Sequence, residues 1–378
     1  MKIVHIITSL NDGGAENTLY KICKYDKSNE HIVISFLNSG KYFFLLKRIG
    51  VEVYTLNVKL YSFYKIFILI KLLHSLKPNI IQTWLLHADL VGGLVSRLLG
   101  FKNIIWNIRY SEIQKKNEVK LTKMLIIKIM AKLSYIIPQS IVIVSKKAQK
   151  IYVSEGYDKK KFHFIPNGYD LKILKYNYLQ KIEFKKKLKT NKKTPIIGNI
   201  SRFHPKKDHI NLIKALSILK SKNINFFCVL FGTNVNKNNT ELVSAIKNLG
   251  LNSNVRLFGQ NDNVVKIFNG IDLFVQSSSY GEGFPNVVAE SMACKTPCVV
   301  TNVGDSSFIL GDTGWIIPPN NPFKLAKSIQ TAFNEIGKKK WIIRGDRSRS
   351  RIKKNFNINK MINSYNHLWK DVFFGKIN

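Results

Sequence analysis

Residues 275–304, VQSSSYGEGFPNVVAESMACKTPCVVTNVG, hold the densest set of chemistry-bearing side chains in the chain. A strand-like run ends in a serine-rich turn, a GEGFP loop follows, and NVVAESMAC opens a helix. Pro285 stands where that helix should begin, and its fixed φ and missing N–H suit the first helical position. The unpaired backbone amides of a helix start make an anion site, able to take a phosphate or a set of hydroxyls. Gly281 and Gly283 let the backbone approach a ligand closely. Glu282 lies in the loop and Glu290 inside the helix, so the two carboxylates can grip two parts of one extended ligand. A lone pair of this kind is more often an exposed loop charge and a solvated helix residue, and the context has to decide.

Elements that position these residues alternate along the whole chain. KIVHIIT, HIVISFL, VEVYTLNV, NIIQTW, KNIIWNI and SIVIVS read as strands, with helical stretches between most of them. A second series, PIIGNIS, FFCVLFG, NVRLFG, DLFVQSS, TPCVVTN and GWIIPP, follows a lysine-rich connector at 172–193. Strands alternating with helices imply parallel βαβ units covered on both faces. The boundary falls near IPNGYD, where Pro, Asn and Gly mark a turn. Met361, Ile362, Tyr365, Leu368, Trp369, Val372 and Phe373 recur at helical spacing and give the last segment one apolar face.

The motif E-G-F-P-N-x-x-x-E, Glu282 to Glu290, closely resembles the signature of glycosyltransferase family 4, the retaining, glycogen-synthase-like enzymes of GT-B fold. TSLNDGGAENTL, IPNGYD, IGNISRFHPKKDHINLIKAL and VGDSSFILGDTGWIIPP resemble further segments of that family in the same order. The resemblance implies an α/β chain of two Rossmann-like domains facing each other across a cleft. The first is residues 1–168, with a helix at about 356–378 packing back on it, and the donor domain is 169–355. It further implies that Arg202 and Lys207 hold the donor diphosphate and that Glu290 binds the ribose. Glu282 sits by the transferred sugar, with Gly283, Phe284, Asn286 and Val287 lining it. Gly13 and Gly14 approach the donor phosphate or the acceptor, although on spacing alone NDGGAE is equally a plain turn. His87 occupies the place of an active-site histidine in the family, yet by itself is equally a structural residue. Arg109 and Tyr110 are acceptor-side candidates; relatives often carry His near Tyr110, so the local contact there differs.

No two Asp residues stand one residue apart, so the Asp-x-Asp metal clasp of the other major nucleotide-sugar transferase fold is missing. No cofactor and no divalent metal are expected, with cationic side chains and a helix start taking the metal's place. The expected donor is a nucleoside-diphosphate sugar, taken as UDP-linked on family frequency, and the acceptor a saccharide or lipid-linked saccharide of surface-polysaccharide assembly.

Bulk composition sets the remaining bounds. At 378 residues and 45% hydrophobic content, two packed domains are expected and wholesale disorder is excluded. The net charge of +37 attracts phosphates, anionic lipid or nucleic acid, although a Lys-, Asn- and Ile-rich chain also arises from compositional drift. The basic, apolar run 115–150 and the basic run 338–354 point to an anionic membrane surface as a partner. Four scattered cysteines fit a reducing compartment, and no run is long and apolar enough to span a bilayer. The expected place is therefore the cytoplasm, peripheral at the inner face of the plasma membrane. A sugar-nucleotide epimerase of the same architecture needs no acceptor and gives no reason for the two-carboxylate motif. A basic nucleic-acid-binding protein is motivated by charge alone, without zinc spacing or an RNA-recognition motif, and nucleic acid is not an expected partner.

Overall fold

A computed structural model describes residues 1–37, 39–58, 64–109, 121–191, 193–261 and 263–376, with the side chains of 121–123 left aside. The chain divides into two compact units, Met1–Gly168 with Ile358–Asn378, and Tyr169–Asn357.

In the first unit seven strands form one parallel sheet: β1 (Lys2–Ile7), β2 (Glu30–Ser35), β3 (Glu52–Thr55), β4 (Ile80–Trp84), β5 (Ile104–Ile108), β6 (Ser140–Ile143) and β7 (Phe162–Phe164). The order is β3-β2-β1-β4-β5-β6-β7. In the second unit six strands do the same: β8 (Ile196–Ile200), β9 (Phe227–Phe231), β10 (Val255–Leu257), β11 (Leu273–Gln276), β12 (Cys298–Thr301) and β13 (Trp315–Ile317). Their order is β10-β9-β8-β11-β12-β13. Central strands such as IIQTW and FCVLF are buried at every position, as a sheet covered by helices on both faces requires. In each unit the winding reverses once, between β1 and β4 and between β8 and β11. Ligands of open α/β sheets bind at the carboxyl ends of the strands beside such a reversal.

Eleven of these strands fall within the runs read from the sequence, and β2 begins one residue before its run. The thirteenth, β7, was missed because FHF is three half-buried residues on a sheet edge, too short to show an alternation. The lysine-rich connector contains the helix Tyr178–Leu188, and two of its lysines are only partly solvated: Lys181 and Lys185 reach the buried Asp272 at 2.6 and 3.3 Å. The closing helix Ile358–Phe373 buries Met361, Ile362, Tyr365, Leu368, Trp369 and Val372 against the first sheet. Phe373 departs from the expected apolar stripe and is 38% exposed. Among the described residues no helix is long and apolar enough to cross a membrane.

The first core encloses a polar chain. Trp84 Nε1 donates to His5 Nδ1 at 3.2 Å, His5 Nε2 meets His31 Nδ1 at 3.0 Å, and His31 Nε2 meets Asp26 Oδ2 at 3.0 Å. An indole nitrogen only donates, so every proton position follows: His5 donates through Nε2 to His31, and His31 donates to the carboxylate. His5, Cys23 and His31 cluster closely enough to suggest a metal site. Neither nitrogen of His5 is free for an ion in this arrangement, since one accepts from Trp84 and the other carries the proton. The cluster is a hydrogen-bonded relay.

Burial, and then His31, hold the His5 pKa well below 6.5, against the smaller opposing pull of Asp26. The folded state therefore favours neutral His5, and this contribution is complete above pH 6.5 and lost as the pH falls below it. We expect the melting temperature to fall by roughly 3 °C per pH unit between about pH 6.5 and about pH 5. In His5→Asn, whose starting stability will be lower, calorimetry should show a flatter acid limb. A wild-type Tm unchanged across that window would refute the assignment.

Candidate active site

The loops that leave β8 and β11 at the reversal of the second sheet carry most of the residues singled out in the sequence. After β8 the chain runs through exposed Arg202 into a single 3-10 turn, Pro205–Lys207. Asp208 then takes a left-handed conformation, φ 48°, and caps the helix His209–Ser221 by accepting from the amide of Asn211 at 3.1 Å. After β11 come Ser277, Ser278 and Ser279, the loop Tyr280–Phe284 and the helix Asn286–Ala293.

Serines fasten one loop to the other. Ser277 Oγ donates to the carbonyl of Lys207 at 2.9 Å, and the amide of Ser279 donates to the carbonyl of Lys206 at 2.9 Å. This brings Lys207 Nζ to 2.5 Å from Glu282 Oε1, which also accepts from Ser278 Oγ at 2.6 Å. The Glu282 side chain is only 8% exposed. Burial would raise its pKa, but Lys207, Ser278 and Lys206 together outweigh burial and hold it below the usual carboxylate range. Glu282 is therefore an ionised, fixed acceptor at neutral pH.

The loop is clamped from its other side as well. The amide of Asp305 donates to the carbonyl of Gly283 at 2.9 Å, and Thr301 Oγ1 to the carbonyl of Ser278 at 2.7 Å. Gly304 has φ 54°, and a Cβ there would lie 2.2 Å from the carbonyl oxygen of Glu282, so only glycine fits. Phe284 is buried and packs edge-on against Phe356, which leaves its backbone, not its ring, for a ligand. Pro285 is the cap residue, one position before the helix and not its first member; its φ of −70° is ordinary but its ψ of 103° is extended. No side chain caps this helix. Asn286 accepts from the hydroxyl of buried Tyr169 at 2.7 Å. Val287 opens the same first turn, and Glu290 stands half-buried in the next.

Two residues unflagged in the sequence complete the floor. His209 Nε2 lies 3.2 Å from Ser201 Oγ, which donates to Asn199 Oδ1 at 2.9 Å. Burial and the Lys207 charge push the His209 pKa down to about 4, so it stays neutral beside the cations. Its adjacency to the lysine turn was the available signal. Ser278 could have been suspected only from the serine run.

In the first unit the candidates follow β1 and β4, at the corresponding reversal, and the neighbouring β5. Leu85 leaves β4 with φ 72°, and exposed His87 follows at the head of a π-helical turn, Ala88–Gly92. Asp89 beneath it is buried, bonded to Thr83 Oγ1 at 2.6 Å, and raised to about 8 by burial. Gly13 precedes the helix Gly14–Tyr25 in extended conformation; a Cβ there would meet Glu16 Oε2 at 2.3 Å. The carboxylate of Glu16 already leans on that helix start, which weakens its appeal to a phosphate and leaves hydroxyls as the better match. Arg109, an acceptor-side candidate, is half-buried and partly engaged within its own unit. Its guanidinium donates to Asn107 at 2.8 Å, Asn167 at 2.5 Å and Tyr365 at 2.6 Å, and lies over the Trp84 ring. Tyr110 lies outside the described residues.

A doubly wound unit with an ion pair, an exposed arginine and a helix start without a side-chain cap at its reversal defines the class: a parallel, doubly wound α/β protein. HepE from Anabaena, solved in complex with UDP, superposes with a TM-score of 0.86 at 20% identity, covering 98% of this chain and all of that one. The fold is thus GT-B. Residues 12–173 match the sequence model described as Glycosyltransferase Family 4, and residues 180–349 the one described as Glycosyl transferases group 1. The chain belongs to the family 4 glycosyltransferases. CapH of Staphylococcus aureus, a capsular polysaccharide biosynthesis glycosyltransferase, is 24% identical over 81% of this chain and 83% of its own length. EpsF of Bacillus subtilis, named as a glycosyltransferase, is 30% identical over 40% of this chain and 39% of its own length.

Removing Lys207 would leave the buried Glu282 carboxyl without its cation, so that it must either stay charged at a cost or take up a proton. Lys207→Met should therefore destabilise the protein by about 3 kcal/mol in urea titration. Adding Glu282→Gln should restore most of that loss. Equal destabilisation in the single and double variants would show that the two side chains are not coupled.

Proposed function

We propose that the chain is a retaining glycosyltransferase, moving a sugar from a UDP-linked donor to a saccharide or lipid-linked saccharide acceptor in cell-surface polysaccharide synthesis. The observation that carries this reading is the pairing of Lys207 with Glu282 beside Arg202 at the reversal of the second sheet. Arg202 offers a guanidinium with no hydrogen-bonding partner among the described residues, suited to two phosphate oxygens at once. Lys207 adds a point charge, and both stabilise the negative charge that builds on the departing diphosphate. These cations and the helix start would do this without a metal ion.

Glu290 accepts from the ribose hydroxyls, and Glu282, held ionised, accepts from a hydroxyl of the transferred sugar. The backbone at Gly283, Phe284, Asn286 and Val287 lines the sugar and phosphates. The departing phosphate oxygen takes the acceptor proton on the same face, so the anomeric configuration is kept and no protein nucleophile is needed. In the first unit His87, exposed at the end of β4, is the candidate contact to sugar or acceptor, with Gly13 and Gly14 on the neighbouring loop. The HepE complex with UDP and the capsular role in CapH's name favour a uridine donor and a polysaccharide product.

An anionic membrane surface as the acceptor's setting has support in the helix Leu121–Leu133. Leu125, Lys128, Ile129 and Lys132 are exposed on one face, followed by exposed Tyr135 and Ile136. This is the pattern of a helix lying in a headgroup layer, with lysine ends outward and apolar stems inward. The run 338–354 contributes less than its charge suggests, because its arginines are engaged: Arg344 with Glu335, Arg347 with Asp312 at the surface, Arg349 and Arg351 with backbone carbonyls.

Calorimetric titration with UDP, GDP and ADP, with EDTA throughout, tests the donor site. UDP should bind, and Glu290→Ala should weaken it at least about tenfold, the loss of a charged hydrogen-bond pair. Arg202→Ala should lower turnover about a hundredfold, with a smaller effect on UDP affinity. Binding of none of the three nucleotides, or wild-type turnover in Arg202→Ala, would refute the reading.

A further inference from the structure

A second concave site lies in the first unit at the opposite, amino-terminal edge of its sheet. It is an open-sided cavity of about 390 Å³, and its wall includes Asn103 and Gln139, the residues just before β5 and β6. Arg97, Lys102 and Lys161 line it together with Tyr135, Ile136 and Phe373, and no acid is among its lining residues. Lys161 builds the wall: its ammonium donates to the carbonyls of Ser134, Tyr135 and Pro138 at 2.9, 2.7 and 2.8 Å. Those bonds fix the turn that holds Tyr135 and Ile136 outward, 59% and 62% exposed. Asp158 is the acid near Lys161. Arg97 and Lys102 are exposed and have no hydrogen-bonding or acidic partner among the described residues. The cavity therefore joins two uncommitted cations to an apolar and aromatic rim.

We propose that this cavity seats the phosphate of an anionic phospholipid headgroup, with Arg97 and Lys102 as its cations. A soluble phosphate needs only the cations and gives no role to the rim. A bilayer uses both, because Tyr135, Ile136 and Phe373 enter the acyl boundary around a bound headgroup. Continuity favours the same source: Leu94 and Leu98 flank Arg97 on the helix Gly93–Leu98, and both are exposed. On the other side Tyr135 continues the exposed face of the helix Leu121–Leu133. The inference rests on the membrane-surface reading above and sharpens it from a diffuse positive field to one seat. It also accounts for Phe373, which leaves its helix's buried stripe to reach this wall.

The test is co-sedimentation with vesicles of phosphatidylcholine alone, or of phosphatidylcholine mixed with phosphatidylglycerol, at physiological salt. Wild type should bind only the mixed vesicles. Arg97→Gln with Lys102→Gln should weaken that binding by about tenfold or more. Lys353→Gln with Lys354→Gln removes the same charge from the exposed end of a helix in the other unit and should change it far less. Tyr135→Ser with Ile136→Ser should weaken vesicle binding while leaving the charge intact. If wild type binds and the Arg97/Lys102 variant binds equally, or both charge variants lose equally, the seat is refuted and a diffuse membrane attraction stands. If wild type ignores anionic vesicles, both readings fail. Competition by glycerol 1-phosphate at the same strength as by vesicles would identify a soluble-phosphate site and overturn the lipid assignment.

Discussion

A carboxylate that stays ionised while buried sets the terms for the second unit. Glu282 can do so only with a cation at hydrogen-bonding distance, because an unpaired buried charge costs several kcal/mol. That requirement fixes the turn Pro205–Lys207 beside the serine-rich loop, although the two lie some seventy residues apart in sequence. It makes the left-handed Asp208 useful, since the chain must turn sharply into the next helix directly after Lys207. Glycine at residue 304 lets that loop pack closely, since a side chain there would collide with the Glu282 carbonyl. The helix start, Arg202 and Glu290 are then carried on loops already fixed.

How far this could be read in advance follows from what each feature depends on. The strands were legible because buried parallel strands are continuous apolar runs, and the reversal followed from their order in space, which sequence alone does not give. The carboxylate motif was legible because glycine, proline and two glutamates stand within nine residues. Its pairing with Lys207 was not, being a contact between distant loops. Pro285 was misplaced by one position because proline suits both the cap and the first turn. The bonds of Arg109 were not legible either, because an arginine after a strand has the same sequence appearance whether its guanidinium faces solvent or, as here, meets Asn107, Asn167 and Tyr365.

The same distinction bears on the net charge of +37, which is ambiguous as a sum. Sorted by partner, many of the cations are structural. Arg349 and Arg351 satisfy carbonyls on neighbouring segments, Lys161 satisfies three, and Lys181 and Lys185 neutralise Asp272. Backbone carbonyls left over at helix ends and turns are obligatory acceptors. A chain rich in lysine and arginine can meet that demand with side chains, and a cation spent this way attracts no partner.

What remains are the cations with nothing to bond. Arg202 is one, at the reversal of the second sheet; Arg97 and Lys102 are others, at the far edge of the first. Each stands beside uncharged ligand-sized features, an uncapped helix start in one case and an apolar rim in the other. Cations held on carbonyls persist at high salt because they are short, partly buried contacts, whereas the uncommitted ones act through solvent and are screened within about 10 Å. Salt therefore separates the two populations that the sequence adds together. A charge excess produced by drift alone would be spread over solvated surface without reference to cavities or strand ends. Arg202, Arg97 and Lys102 stand where a phosphate has geometric company, unlike exposed Lys353 and Lys354, which is the physical reason to treat part of the excess as function.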